Sequence, residues 1–391
     1  MSDAKPSPYV AKVNAAGHRV WQERAPLLGT LDLELTERCN NNCIHCCINL
    51  PQEDLGARQR ELGTAEIQEI LTEAAALGAL SVRFTGGEPL LREDFIDLYL
   101  YARRLGLKVL LFTNARLITP ELANLLCRIP PLEKIEITVY GLTPQSYETV
   151  SRVPGSYQGF WGGVSLLRER GIPFVVKGAL LPPNRLEIDA FETWAATLPA
   201  MDRPPSYSMF FDLRSRRDSE SKNRRIERLR LTPEDGVTMS RRSSFYLREM
   251  REFCGKFMGP PGDRLFTCGA GHGACVDAYG MVQPCLPLRH PDMVYNLHEG
   301  SLMEALTKFF PRLREETRAA NPDYLARCAR CFLKGLCEQC PAKSWSEHGT
   351  LDTPVEYLCR VAHAQARDLG LLRDGERGWE VEEWKERIKG I

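Results

Sequence analysis

Three thiols stand at the spacing Cys39-xxx-Cys43-xx-Cys46 in the stretch CNNNCIHC, directly after the apolar run LDLELT at 31–36. Thiolates are soft ligands that suit zinc and iron–sulfur clusters, and structural zinc sites usually gather four ligands as two paired knuckles. No second pair stands nearby, and Cys47 adjoins Cys46 so closely that the two cannot easily share one metal. A four-iron cluster held by three thiolates keeps one iron open, so a bound cofactor can complete its ligand set. A structural zinc, or unconnected buried thiols, is the plainer alternative.

The other cysteines are not spread evenly. Of 14 in the chain, eight lie between Cys268 and Cys359, and only Cys127 and Cys254 stand alone. Because ligands must be gathered by the local fold, this segregation predicts two metal-bearing regions in two structural units. The chain has 391 residues, 43% of them apolar and 26% charged, with a formal net charge of zero. That balance argues against a general affinity for nucleic acid or anionic membrane. MSDAKPSPYV lacks a secretory pattern, and no apolar run approaches the roughly 18 residues of a membrane span. A cytoplasmic protein with reduced thiols is expected, with no nucleic-acid or membrane partner.

The elements that must position these groups have a strong rhythm. Short β-branched runs at 31–36, 80–85, 107–113, 134–140, 173–180 and 207–212 alternate with helical segments. In the first helix Ile67, Ile70, Leu71, Ala74 and Leu77 recur on one face, with Thr64 expected as the N-cap and Gly78 beyond the end. Thr-Pro pairs at 119–120, 143–144 and 232–233 predict further helix starts, each joining a capping hydroxyl to a proline. Six strand–helix units imply an α/β fold with a parallel sheet, doubly wound or curled into a partial barrel. In either form function gathers at the C-terminal strand ends. CNNNCIHC follows the first strand, GGEPL at 86–90 the second, Asn114 the third, and Thr138 to Gly141 the fourth.

Cys39-xxx-Cys43-xx-Cys46 followed by Gly86-Gly87-Glu88-Pro89 resembles the radical S-adenosylmethionine (SAM) superfamily. The resemblance implies a partial (β/α)6 TIM-like barrel. It also implies a [4Fe–4S] cluster on Cys39, Cys43 and Cys46, with SAM chelating the open iron. His45 then occupies the place near the adenine where the family usually carries an aromatic residue. Gly86, Gly87, Glu88 and Pro89 are implied to bind the methionyl amino group; the glycines also read as freeing the backbone to approach a ligand closely. Asn114 and Thr138 match positions near the ribose, and Arg152 matches an arginine that often pairs the methionyl carboxylate.

The second group, CGAGHGACVDAYGMVQPC from Cys268 to Cys285, CARCFLKGLCEQC from Cys328 to Cys340, and Cys359, resembles the SPASM extension of that superfamily. By the resemblance, Cys268, Cys275, Cys285 and Cys340 hold one auxiliary [4Fe–4S] cluster. Cys328, Cys331, Cys337 and Cys359 hold the other. A zinc-ribbon-like domain is the alternative from spacing alone. The expected organisation is an N-terminal extension over 1–30, the barrel over 31–212, a linker over 213–260, the cysteine-rich cluster-binding domain over 261–365 and a tail over 366–391.

Relatives carrying this extension mostly modify peptides. The implied activity is therefore reductive cleavage of SAM, with electrons from an external donor, and hydrogen abstraction from a peptide, giving a cross-link, thioether or similar modification. A small-molecule substrate such as a tetrapyrrole is the alternative within enzymes, and a non-catalytic zinc scaffold the alternative outside them. About 30 residues precede the first strand, too few for a fused peptide-recognition domain, so a separate leader-binding protein is expected. Sulfatase-maturing relatives carry an aspartate base directly after the Gly-xxxx-Cys cysteine. Leu286 stands there in this chain, which argues against formylglycine formation and turns attention to Tyr140 or Asp212 as a base. The arginine-rich stretch 212–230 reads as a solvated linker, and Cys47, Cys127 and Cys254 have no assigned role.

Overall fold

The structure, a computed structural model, describes residues 27–390, so the expected N-terminal extension lies almost wholly outside it. Six strands, β1 (Thr30–Thr36), β2 (Ser81–Gly86), β3 (Lys108–Thr113), β4 (Leu132–Val139), β5 (Phe174–Ala179) and β6 (Tyr207–Ser208), lie in chain order, each parallel to the next. Between them run α1 (Thr64–Ala76), α2 (Phe95–Arg104), α3 (Pro120–Arg128), α4 (Pro144–Ser151), α5 (Ser156–Glu169) and α6 (Ile188–Ala195). This is the expected partial barrel. Thr119, Thr143 and Thr232 cap their helices as the Thr-Pro pairs predicted, their side chains accepting from the amides of Leu122, Ser146 and Asp235. At α1 the cap is Gly63 rather than Thr64. Its amide donates to the Glu66 carboxylate at 2.7 Å, which frees the Thr64 hydroxyl to donate to Asp94 at 2.6 Å. The expected strand at 207–212 is only two residues long, because Arg230 takes the carbonyl of Phe211 and the chain turns away.

Side chains alternate across the strands. Leu31, Leu33, Val82, Phe84, Val109, Leu111, Ile135, Ile137 and Val176 join the helices in one large core. The opposite, inner face is charged and paired. Asp32 meets Arg83 at 2.9 Å and Glu136 meets Lys177 at 2.6 Å, with the Lys177 ammonium 3.6 Å from the centre of the Phe112 ring.

The sheet does not stop at the sixth strand unit. Three short strands from the cysteine-rich region, β7 (Ala274–Val276), β8 (Met281–Gln283) and β9 (Tyr295–Asn296), extend it beyond β1 to the order β9-β8-β7-β1-β2-β3-β4-β5-β6. β7 is parallel to β1, with Asp32 opposite Cys275, and β8 and β9 follow antiparallel. Sequence alternation is silent here because three-residue strands carry too few positions to show a period. A buried charge cluster reinforces the seam. One Arg289 nitrogen, Nη2, donates to both Glu34 oxygens at 2.6 and 2.7 Å and the other, Nη1, to Glu37 at 2.9 Å, while Arg216 bridges Glu37 at 2.6 Å and Asp277 at 2.8 Å. Further helices among the described residues include α7 (Glu220–Glu227), α8 (Pro341–His348) and α9 (Glu356–Asp368). Among the described residues no helix is long and apolar enough to cross a membrane.

Removing one partner of a buried ion pair leaves the others uncompensated, at a cost of about 3–5 kcal/mol. Arg289→Met should destabilise the protein by that order in denaturant unfolding, and adding Glu34→Leu should recover part of the loss. An unchanged midpoint for Arg289→Met would show that this cluster does not hold the seam.

Candidate functional site

The cysteine loop at 39–46 sits over the C-terminal ends of the strands, held from two sides. Its amides at Asn42 and Ile44 donate to the carbonyls of Ser151 and Val150 at 2.9 and 3.0 Å, at the last turn of α4. That helix ends at Arg152, in the left-handed conformation (φ 58°), which puts the exposed Arg152 side chain next to the docked loop. On the other side, Arg116 donates to the Asn40 carbonyl and, at 2.6 Å, to the Asn41 side chain. Arg116 was not singled out from sequence; its only signal there is its place two residues beyond Asn114.

The two glycines of Gly86-Gly87-Glu88-Pro89 let two strand ends meet. A Cβ on Gly86 would lie 2.1 Å from the Thr36 carbonyl oxygen, and one on Gly87 would lie 2.2 Å from that of Arg38. The end of β2 therefore packs directly on the end of β1, with the Gly87 amide donating to Thr36 at 2.7 Å and the Glu88 amide to Arg38 at 2.9 Å. Gly86 also has φ of 118°, a conformation that favours glycine. The Glu88 carboxylate is buried and turned inward. It accepts from the Thr113 hydroxyl and the Asn114 amide, each at 2.8 Å, and from Leu90 at 3.2 Å. Burial raises its pKa to about 7, against the opposing pull of those donors. Pro89 opens a single 3-10 turn that Glu88 caps.

Asn114 closes the ring. Its side-chain amide donates to Asn40 at 2.7 Å and approaches the Cys39 sulfur at 3.9 Å, and the Asn41 amide donates to the same sulfur at 3.4 Å. The Tyr140 hydroxyl lies beside Cys43. His45 packs between Tyr140 and Phe211, with ring centroids 5.8 and 5.1 Å away, and its Nδ1 is buried without a partner. Burial lowers its pKa to about 4, so the ring is neutral. Thr138 lies on the inner face of β4 opposite Lys177 of β5.

The thiols are electrostatically frustrated as they stand. Burial, then Cys43 and Glu88, drives the Cys39 pKa well above its usual value; burial, then Cys46, pushes Cys43 up to about 12. Thiolates gathered without water need a compensating cation, and a cationic iron core supplies one. The residues present therefore fit such a group. Of the two residues considered as bases, Tyr140 is engaged with Cys43, its pKa raised by burial and the neighbouring thiols, while Asp212 is ion-paired with Lys343 of α8.

In the cysteine-rich unit, Cys328, Cys331, Cys337 and Cys359 line one cavity with Tyr324, His363 and Trp379. Cys285 feels Cys340 and Cys268 as its nearest charged neighbours, and burial with them pushes it up to about 12. Cys275 is placed differently. It lies in mid-sheet on β7, and the charges around it are Glu34, Asp32, Arg289 and Asp277 rather than thiols. Cys47 is half-buried beside Cys46, Asp212, Arg289 and Arg214; Cys254 is buried in the C-terminal core; Cys127 is exposed on α3.

The sequence model of the Radical SAM superfamily matches residues 33–193. Over 336 residues the chain is 27% identical to the AdoMet-dependent heme synthase of Methanosarcina barkeri, covering 81% of this chain and 92% of that protein. It is 34% identical over 143 residues to the PqqA peptide cyclase of Gluconobacter oxydans, covering 37% of this chain and 39% of the cyclase. Among solved structures, Streptococcus suis SuiB bound to precursor peptide SuiA superposes with a TM-score of 0.59 at 17% identity, over 83% of this chain and 74% of that one. The structure of anSMEcpe with bound AdoMet superposes with a TM-score of 0.58 at 13% identity, over 92% and 98% of the two chains. At these identities the structural likeness speaks to the fold. With the three thiols, the two glycines and the barrel carrying them at its strand ends, residues 33–193 are a radical SAM domain.

Proposed function

We propose that this radical SAM enzyme modifies a peptide. The observation that carries the reading is the cleft beside the cysteine loop, lined by Glu37, Asp54, Arg60, Arg216, Arg289 and Trp345. Charges of both signs beside one aromatic face suit a peptide, with its amides and mixed side chains. A macrocycle that must bury a broad apolar face is served worse by such a wall. The sequence similarity to PqqA peptide cyclase supports the same reading. A tetrapyrrole is the second reading, favoured by the match to AdoMet-dependent heme synthase over 92% of that protein's length.

Cys39, Cys43 and Cys46 are assigned to a [4Fe–4S] cluster that also binds SAM. When bound, this pair would supply one-electron reductive cleavage of SAM and radical hydrogen abstraction, the electron coming from an external reductant. The chain's own residues orient it. Asn41 and Asn114 direct N–H groups at the Cys39 sulfur, and the Tyr140 hydroxyl meets Cys43. His45, Tyr140 and Phe211 form a dry aromatic wall suited to adenine. The backbone at Gly86 to Pro89 offers carbonyls to the methionyl ammonium, and Arg152 offers its guanidinium to the carboxylate. Glu88 acts through Thr113 and Asn114 as a positioning residue. Thr138 and Asn114 would hold the ribose.

The cysteine-rich unit is assigned two auxiliary clusters of the SPASM type. One rests on Cys328, Cys331, Cys337 and Cys359, the other on Cys268, Cys285 and Cys340. Cys275 is set apart from that set by its place on β7, opposite Asp32 of β1 and Gln283 of β8.

Anaerobically reconstituted protein with reductant should form 5′-deoxyadenosine from SAM, and replacing Cys39, Cys43 and Cys46 together by alanine should abolish it while removing about four irons. Persistent 5′-deoxyadenosine in that variant would overturn the assignment. With a short peptide encoded beside the gene, mass spectrometry should detect a modified product, whereas a sulfatase-type peptide should gain no formylglycine; conversion of an iron tetrapyrrole with every peptide unchanged would instead establish the second reading.

Iron analysis separates the auxiliary ligands. Cys340→Ala should lose about four irons, one cluster's worth, whereas Cys275→Ala should keep its full complement. Equal losses from the two variants would return Cys275 to the ligand set.

A further inference from the structure

The inner wall of the barrel carries a band of charges that the cysteine site does not use. Across five neighbouring strands, Asp32, Arg83, Phe112, Glu136 and Lys177 stand on the face turned away from the core. The four charged side chains are 17 to 32% exposed, whereas Val82, Phe84, Leu111, Ile135 and Val176 on the other face of the same strands are buried. A face packed against the rest of the chain is sealed like the core, so this half-exposed one borders open space inside the barrel. Phe112 and Glu136 lie two residues before Asn114 and Thr138 on their strands, and so about 7 Å below them. The band also runs into the cleft assigned to the peptide: Glu34, two residues beyond Asp32, is held by Arg289, which lines that cleft.

Arg83 is held differently from other well-buried arginines of the molecule. Arg38, Arg92 and Arg214 each give Nε and Nη2 to the two oxygens of one carboxylate. Arg83 gives only Nη1, to Asp32 at 2.9 Å; its Nε and Nη2 have no hydrogen-bond partner among the described residues. Its guanidinium lies 5.1 Å from the centre of the Phe112 ring, and the Lys177 ammonium lies 3.6 Å from the same centre. Lys177 donates to Glu136 at 2.6 Å, and Lys134 approaches that carboxylate at 3.7 Å. Three cations therefore share two carboxylates, Asp32 and Glu136, since Glu34 is already held by Arg289. An open guanidinium fork is the geometry that takes a carboxylate. Two cations drawn to one ring also repel each other, and an anion seated between them relieves the repulsion.

We propose that Arg83 and Lys177 bind a carboxylate of the substrate and so fix which part of it faces the strand ends. On the peptide reading above, on which this rests, that carboxylate is an aspartate or glutamate side chain of the peptide. A tetrapyrrole propionate presents the same chemistry, and the experiment separates the two sources. Asp32 and Glu136 are positioning residues, which hold the two cations in place. No bond forms or breaks at this wall.

The test is steady-state modification, by the reconstituted full chain, of the peptide encoded beside the gene, with each acidic residue of that peptide changed in turn to its amide. One such change should raise KM at least about 10-fold with kcat nearly kept, the mark of lost binding rather than lost chemistry. Arg83→Gln and Lys177→Gln should each raise KM for the acidic peptide by a similar factor, and should add little to it for that amide peptide, since enzyme and peptide changes remove the same contact. Because Arg83→Gln leaves Asp32 unpaired, Asp32→Asn/Arg83→Gln, which removes both charges, should show the same loss with iron content kept. Lys134→Gln, outside the proposed pair, should take the peptide as wild type does. A KM for the acidic peptide that is the same in wild type and every variant would overturn the carboxylate site and leave the peptide reading standing. Additive losses would overturn it too, since wall and acid would then act separately. A peptide that wild type leaves unmodified would count against the peptide reading instead, and binding of coproporphyrin, followed by absorbance, then decides the wall on its own. Weaker binding of the free acid but not of its tetramethyl ester in Arg83→Gln would keep the carboxylate site with a tetrapyrrole source; equal binding of both forms by wild type and variants would overturn it.

Discussion

The contact between the end of β1 and the end of β2 is the constraint on which the site depends. Two successive residues without a Cβ are needed there, because the carbonyls of Thr36 and Arg38 occupy the space a side chain would take. Once the strands meet, the Glu88 carboxylate is carried to the end of β3, where Thr113 and the Asn114 amide satisfy it. Asn114 in turn holds Asn40, at the start of the cysteine loop. Three strand ends and one loop thus form a closed circuit of hydrogen bonds, in which each buried polar group is another's partner. Such a circuit is rigid because breaking any member strands a buried donor or acceptor.

The circuit defines how the cysteine loop is entered, and the rest of the fold defines where it ends. Beyond Cys39 the loop runs to α4, whose last carbonyls accept its amides, and Arg152 must take the left-handed conformation for the helix to stop there. A non-glycine residue in that region is uncommon and carries a local cost. Here it leaves the carbonyls of Val150 and Ser151 free for the loop and leaves the arginine side chain beside it. Local strain at Arg152 is offset by loop contacts that a regular helix end would not make.

Much of this was legible in the sequence, and the exceptions share a cause. The cysteine spacing, the glycine pair, the Thr-Pro caps and the five longer strands are local signals, written in consecutive residues. The extension of the sheet by β7, β8 and β9 is not local: Asp32 and Cys275 become neighbours through a parallel pairing that spans most of the chain. Likewise, Gly86 and Gly87 were readable as residues that permit close approach, but what approaches them is the chain's own backbone, a partner that no periodicity reveals. Thr64 was displaced as a cap because Glu66 can reach back to the Gly63 amide, a competition between neighbours that residue preferences rank too coarsely to decide.

The charge of the molecule is sorted in a way that connects the two cysteine regions. Inside the barrel and at the seam nearly every cation has a carboxylate partner: Arg83 with Asp32, Lys177 with Glu136, Arg289 with Glu34 and Glu37, and Lys343 with Asp212. Buried charges are tolerable only when paired in this manner. One consequence is that Asp212, at the end of the barrel sheet, is tied to α8, which begins one residue after Cys340. A second is that Arg289, four residues beyond Cys285, is tied to β1, which leads directly into the cysteine loop. The cysteine-rich unit is therefore registered against the barrel through ion pairs close in sequence to its own thiols. The spacing between the two cysteine regions is set by those pairs, together with the strand pairing of β7 to β1, and the arginine-rich stretch 212–230 takes part through Asp212 and Arg216.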